Sequence, residues 1–413
     1  MHTSPVPRLL ACRGIFIGDP SSSLVLKESK WLMNVDLMEI TARSKRWSAD
    51  LSAIRNFSLR PAGQISEADV LRSSDWTLYC LDIPSRQALF VELPPSSDLS
   101  EVAFVYSQQF TAARRAALMP FDQFIAASHR IAPPAGLTFL FSTGRCGSTL
   151  ASRILSQIPE VWSLSEPDYL TNLAVARLTL GARDIADLIR AATLWTCRPP
   201  MGRNPESIVI KPRSEAVLIA NSCKRAFPSS RNVFMYRDHL GYANSCFRFV
   251  QRIMGPEVFF AEEAWRPIWD FVMVGLPVST LDDLFAPDYG PIGWEEFLTL
   301  VWDLRINGYL RALRQGMTFT AIHYHDLDTD RTPETRRLLE ACGLSTLHLD
   351  RAMAAFAEDS HTGSVGANTT PARALNAAET ARAVRLLALM GRRAYVGERL
   401  PESRVGARHF PDP

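Results

Sequence analysis

Gly144, Arg145, Cys146, Gly147, Ser148 and Thr149 follow one another directly, and Thr143 opens the run. Two glycines let a backbone turn tightly and approach a ligand with no Cβ in the way. Arg145 adds a forked donor suited to phosphate or sulfate oxygens. Ser148 and Thr149 can cap a helix over 149–157, whose first amides lack intrahelical partners and face an anion along the helix dipole. The competing reading is an ordinary glycine-containing turn between a strand and a helix. The triphosphate-binding version of such a loop, GxxxxGK[ST], is absent. No lysine precedes Ser148 or Thr149, and Cys146 alone separates Arg145 from Gly147. The chemistry on offer is binding of a phosphate-type anion other than ATP.

Such a loop needs a rigid support. Leu137, Phe139, Leu140 and Phe141 just before it form the continuous apolar run of a strand buried on both faces. Further buried strands are expected at 161–164, 207–211 and 232–236, with a last one at 318–324. Helical spacing falls between them, at 170–180, 185–195, 215–227, 242–253 and 295–315, and again at 333–342 and 377–391. Strands alternating with helices predict an α/β fold, a three-layer parallel sheet carrying a P-loop-like phosphate-binding loop. In such sheets ligands sit at the carboxyl ends of the strands. Those ends carry Ser142 to Ser148, Glu166, Lys211 to Arg213, and Arg237 with Asp238.

Residues 33–130 read as a small N-terminal α+β domain, with strands at 76–83 and 88–93 and one helical piece over 109–131. A stiff Pro/Gly linker then leads into the main domain, 131–400. Residues 1–32 and 401–413 are expected to be tails. Residues 254–295 interrupt the alternation with many aromatics, as either a substrate lid or a helical excursion with its own small core. A second small-residue loop spans 358–366.

The chain has 413 residues, 47% hydrophobic and 21% charged, with a formal charge of +2. That balance gives no global reason to expect nucleic acid or a membrane as partner, so a basic site must be local. Seven scattered cysteines without CxxC pairs suit a reducing cytoplasm better than a disulfide framework. His323 and His325 have no third ligand partner in the pattern, and no metal is expected. Lysine is rare: Lys27, Lys30, Lys45, Lys211 and Lys224 are the whole set.

Three stretches together resemble the sulfotransferase family, whose donor is 3′-phosphoadenosine 5′-phosphosulfate. Gly144 to Thr149 is similar to its 5′-phosphosulfate loop, with Cys146 where serine is commoner. Phe227-Pro228, a strand, Tyr236-Arg237-Asp238 and then Ser245 resemble its 3′-phosphate site. His323 to Leu327 is similar to its late strand. The spacings of Glu166 and Lys211 from these motifs point to the branch with tyrosylprotein and carbohydrate sulfotransferases. The resemblance covers about 137–345 and leaves the N-terminal residues and the acceptor open.

It implies sulfuryl transfer to a hydroxyl on a small molecule, sugar or peptide. Glu166 would be the base, Lys211 and Arg145 would stabilise charge, and Thr143 to Thr149 with Arg237 and Ser245 would hold the donor. His361 is the reserve base. Each site residue also has a plain structural reading: Glu166 as a helix-start acid, Lys211 as a strand-end lysine, Arg237-Asp238 as a surface ion pair. A P-loop kinase-like phosphotransferase and a non-catalytic nucleotide-binding module remain the rival functions.

Overall fold

The computed structural model describes residues 33–401 except 96, 101, 286–288, 358–371 and 392–398. The expected tails (save Pro401) and the 358–366 loop with His361 lie outside the described residues.

Five parallel strands carry the second part of the chain: β6 (Gly136–Ser142), β7 (Val161–Ser165), β8 (Ser207–Lys211), β9 (Arg231–Tyr236) and β10 (Thr320–His323). Their spatial order is β10-β9-β6-β8-β7. Alternate side chains serve opposite faces, as a pleated strand requires. Phe139, Phe141, Ile208, Ile210 and Phe234 join one core, while Leu140, Val209, Val233, Met235 and Ile322 join a second. The second core is covered by helices Ser148–Ser156, Arg331–Ala341 and Leu349–Met353. Helices Ala182–Thr196, Ala220–Ala226 and Trp294–Arg314 cover the first. The result is helix, sheet and helix in three layers. β6 lies between β8 and β9, so the chain leaves it toward one edge and later returns toward the other, which opens a crevice at its carboxyl end.

The earlier residues form a second, antiparallel sheet: β1 (Asn34–Arg43), β2 (Phe57–Ser66), β3 (Trp76–Asp82), β4 (Gln87–Glu92) and β5 (Arg115–Pro120), in the order β2-β1-β5-β4-β3. The single helical piece expected over 109–131 is instead a helix Val105–Ala112, strand β5 and a helix Phe121–Ser128. β5 pairs with both β1 and β4. Pairing with strands far along the chain overrides the local apolar spacing there. β1 and β2 also went unread, because most of their residues are at least partly exposed and show no strong alternation.

This sheet shares the first core of the parallel sheet. Trp195, on helix Ala182–Thr196, meets Phe90 edge-on at 4.8 Å, stacks on Phe124 at 6.0 Å, and donates its indole N–H to the Phe124 carbonyl. Arg198 donates to the carbonyls of Val70, Leu71 and Trp76. The aromatic stretch after residue 254 forms short helices whose rings pack on the start of helix Trp294–Arg314 as part of the first core, not as a core of their own. Trp265 packs on Trp269 and Phe297, and Phe259 on Trp294.

Candidate active site

The loop after β6 is pinned from below. The Met235 carbonyl at the end of β9 accepts from the Thr143 amide at 3.0 Å and from the Cys146 thiol at 3.3 Å. Gly144, Arg145 and Gly147 all take positive φ, of 81°, 51° and 75°. Gly147, not Ser148 or Thr149, is the N-cap, and no side chain caps the helix; both hydroxyl residues lie inside its first turn. Cys146 departs from its expected binding role. Its side chain is wholly buried in the second core, and the residue does not border the cavity.

The other loop residues, Thr143, Gly144, Arg145, Gly147, Ser148 and Thr149, border a cavity of ≈ 200 Å³. Glu166, Lys211, Arg213 and Glu215 border it too. Among the described residues no histidine does.

Strand register explains how Glu166 and Lys211 meet. Ser165 of β7 pairs with Lys211 of β8, so the residue after Ser165 emerges beside the lysine. The Glu166 amide donates to the Lys211 carbonyl at 2.6 Å, and the Lys211 ammonium donates to Glu166 Oε1. Glu166 adopts φ 58°, and holding a non-glycine residue there costs on the order of 1–3 kcal/mol. Its carboxylate faces Lys211 and lies 4.0 Å from the Arg213 guanidinium. It is not within the first turn of the following helix, Tyr169–Val175. The structure therefore places Glu166 in the cleft and not on a helix start.

Arg213 is buried and bidentate on Asp168, at 2.6 and 2.9 Å. Burial is the largest single influence and opposes its charge, but Asp168, Tyr106 and Glu166 together outweigh it and raise its pKa above the ordinary arginine value. Asp168 also accepts the Ser52 amide at 2.9 Å, and Arg213 donates to the Ala49 carbonyl at 2.8 Å. The pair thus ties a loop of the antiparallel sheet to the cleft. Glu215 is held by the buried Arg305 at 2.8 Å. Neither pair was read from the sequence. Arg213 and Asp168 lie two residues from Lys211 and Glu166, which was the one local signal available.

Arg145 differs from these arginines. Its guanidinium lies 4.3 Å from the Phe249 ring centroid, its Nε donates to Ser245 Oγ at 3.3 Å, and burial pulls its pKa below the usual value. Among the described residues no carboxylate forms an ion pair with it. A largely desolvated cation without a counter-ion is costly to keep, and an anion in the cleft would remove that cost.

Ser245 and Arg237 are both expected at the donor's 3′-phosphate; neither borders the cavity, and no hydrogen bond joins them among the described residues. Ser245 supports Arg145 instead. Arg237 lies 4.4 Å from the Tyr324 ring centroid, and its Nε is buried with no hydrogen-bond partner. Asp238 is not its ion-pair partner; it is the N-cap of helix His239–Met254, accepting the Gly241 amide at 2.7 Å. Tyr324 also touches the loop, since a Cβ on Gly147 would come within 2.8 Å of its ring. Gly147→Ala is expected to destabilise by about 1–2 kcal/mol from the left-handed backbone alone, read as a lower urea midpoint. An unchanged midpoint would mean that the loop relaxes freely.

His323 is buried at the end of β10, where burial lowers its pKa to about 4. No group of three or more potential metal ligands occurs among the described residues, and no described helix is long and apolar enough to cross a membrane.

No family model matches the chain, and no curated protein does. Solved structures do. A sulfotransferase from Alicyclobacillus acidocaldarius is 16% identical with a TM-score of 0.36, over 65% of this chain and 98% of that one. A Mycobacterium avium sulfotransferase is 15% identical with a TM-score of 0.39, over 66% and 79%. Retinol dehydratase, in complex with androsterone and inactive cofactor PAP, is 14% identical with a TM-score of 0.35, over 69% and 91%.

Proposed function

We propose that this chain is a sulfotransferase, moving a sulfuryl group from 3′-phosphoadenosine 5′-phosphosulfate to an acceptor hydroxyl. The observation that carries the reading is Arg145, a largely desolvated cation with no carboxylate in ion-pair contact among the described residues, set in the loop before helix Ser148–Ser156 and sharing a cavity with the Lys211–Glu166 pair. The orphaned Nε of Arg237 offers a second donor for an anionic group.

In the reaction the acceptor oxygen bonds to sulfur while the bond from sulfur to the bridging phosphate oxygen breaks. The electron pair leaves with that oxygen, as 3′,5′-bisphosphoadenosine, and the hydroxyl proton passes to Glu166. Arg145 and the loop amides offset charge on the sulfuryl oxygens, and Lys211 offsets charge on the leaving phosphate. Lys211 now occupies Glu166 Oε1. Donor binding that draws the ammonium toward the phosphate would free that oxygen for the acceptor. A carboxylate base paired with lysine, with no histidine lining the cavity among the described residues, fits the branch that includes tyrosylprotein and carbohydrate sulfotransferases.

Thermal shift separates this reading from its rivals, because a ligand that binds only the native state raises Tm by mass action. 3′,5′-Bisphosphoadenosine is expected to raise Tm and Mg-ATP is not. The shift should shrink in Ser245→Ala, since losing a hydrogen bond that orients a charged group costs about 1.5–3 kcal/mol. A shift with Mg-ATP alone would favour a kinase-like phosphotransferase, and none with either a non-catalytic module.

A further inference from the structure

Lys211 pairs with Glu166 and Lys224 donates to the Ser230 carbonyl at 3.1 Å, which leaves Lys45 as the third lysine among the described residues. Lys45 lies in the loop between β1 and β2, and that loop reaches the cleft. Ala49 borders the cavity and accepts from Arg213, while the Ser52 amide donates to Asp168. The half-buried Lys45 ammonium closes the loop by donating to the Asp50 carbonyl at 3.1 Å. Three ring centroids approach it, those of Phe110 at 4.9 Å, Tyr106 at 5.0 Å and Tyr79 at 5.8 Å. Tyr106 is the link to the cavity. It forms part of the cavity wall with Phe104, on which it stacks at 5.6 Å, and its centroid lies 3.9 Å from the Arg213 guanidinium. One ring therefore carries a cation of the antiparallel sheet's loop and a cation of the cleft.

Among the described residues no carboxylate forms an ion pair with Lys45. The Asp50 carboxylate is taken by Arg46, at 2.9 and 3.1 Å. Tyr79 and Cys80 face the amine from β3, Tyr106 from helix Val105–Ala112, and Asp168 and Arg213 from the cleft. Arg43, at the end of β1, donates to the Phe110 and Ala113 carbonyls, and Arg55 acts on Asp50 and Cys80. Burial is the largest influence on the amine and lowers its pKa to about 8; Asp168 opposes that shift and Arg213 adds to it. A desolvated cation without a counter-ion is costly, and rings offset only part of the cost. Natural proteins keep such costs where the charge serves a site.

We infer that Lys45 is a positioning residue for anion binding, acting from behind the cavity wall. Its ammonium, seated on the Tyr106 ring that also carries Arg213, strengthens the cavity's hold on a phosphate group, and the hold weakens when Lys45 loses its charge. The inference rests on the sulfotransferase reading, which supplies the phosphate-bearing ligand. It gives the antiparallel sheet a part in the site: one loop of it sets the charge beneath the cleft.

The test is calorimetry of 3′,5′-bisphosphoadenosine with the full chain between pH 7 and pH 9. The second ionisation of a phosphate lies near pH 6, so the ligand's charge is constant over that range. Affinity of the unmodified chain is expected to fall about three- to tenfold as Lys45 deprotonates. Lys45→Arg should hold the stronger value at every pH, and Lys45→Met the weaker one. Stability moves the other way. The native amine releases its proton below the unfolded value of about 10.4, so the charge costs stability below about pH 8 and that cost fades above it. Lys45→Met keeps the length and suits aromatic surroundings, so its Tm at pH 7 should hold or rise. Flat affinity in the unmodified chain overturns the inference with no variant needed. So does a pH dependence that survives in Lys45→Met, or a lower Tm in that variant with unchanged affinity. Each of these leaves the sulfotransferase reading standing. No bisphosphate binding by the unmodified chain overturns that reading and this inference with it.

Discussion

Glu166→Gln is expected to lower kcat by about 10²–10⁴, the usual contribution of a positioned general base, while leaving bisphosphoadenosine affinity nearly unchanged. The glutamine keeps the size of the side chain, and its amide oxygen can still accept from Lys211, but it cannot take a proton. The structure makes the test clean in one respect. Glu166 is not in the first turn of helix Tyr169–Val175, so the substitution removes no helix-dipole contribution. Lys211 does lose its carboxylate partner while only 2% exposed, so some loss of melting temperature is expected and must be measured alongside turnover. Near-normal kcat would remove Glu166 as the base and pass that role to another group; His361, the reserve candidate, lies outside the described residues.

Arg213→Met is expected to cost about 3–5 kcal/mol of stability, because it strands the Asp168 carboxylate in the interior. Asp168 is essentially inaccessible to solvent and takes both Arg213 donors as well as the Ser52 amide. Losing the arginine also removes its bond to the Ala49 carbonyl, so the loop that borders the cavity keeps its Ser52 tie to Asp168 but loses this second one. Turnover should fall further than stability alone explains. Urea denaturation of Arg213→Met and of Arg213→Met with Asp168→Leu decides the cause. If the stranded charge is responsible, the double variant recovers much of the loss, since apolar residues of similar volume often replace a buried ion pair at little cost. Equal midpoints for the two variants would instead point to lost packing on Tyr106 and Phe271.

The elements of the parallel sheet were legible because each is a local pattern. β6, β8 and β9 are short apolar runs bounded by polar or small residues, and a strand buried on both faces needs nothing more to show itself. The loop was legible for the same reason, as were Glu166 and Lys211 once they were read as strand ends. Their direct contact follows from the pairing of Ser165 with Lys211.

What the sequence left undecided is everything set by contacts between distant segments. β5 looked helical because its partners, β1 and β4, lie tens of residues away. Cys146 sits in the binding motif by position, yet its side chain lies in the second core, where the thiol donates to the Met235 carbonyl. Ser245 and Arg237 share one motif, but the fold gives Ser245 to Arg145 and Arg237 to Tyr324. The pairs Arg213–Asp168 and Arg305–Glu215 and the wall of Phe104 and Tyr106 join residues separated by 45 positions or more. Local propensity and spacing carry a strand, a loop and the carboxyl ends where chemistry can occur. Which charges are neutralised there, which stays unpaired, and which rings close the cavity depend on burial, and burial exists only once the two sheets are packed together.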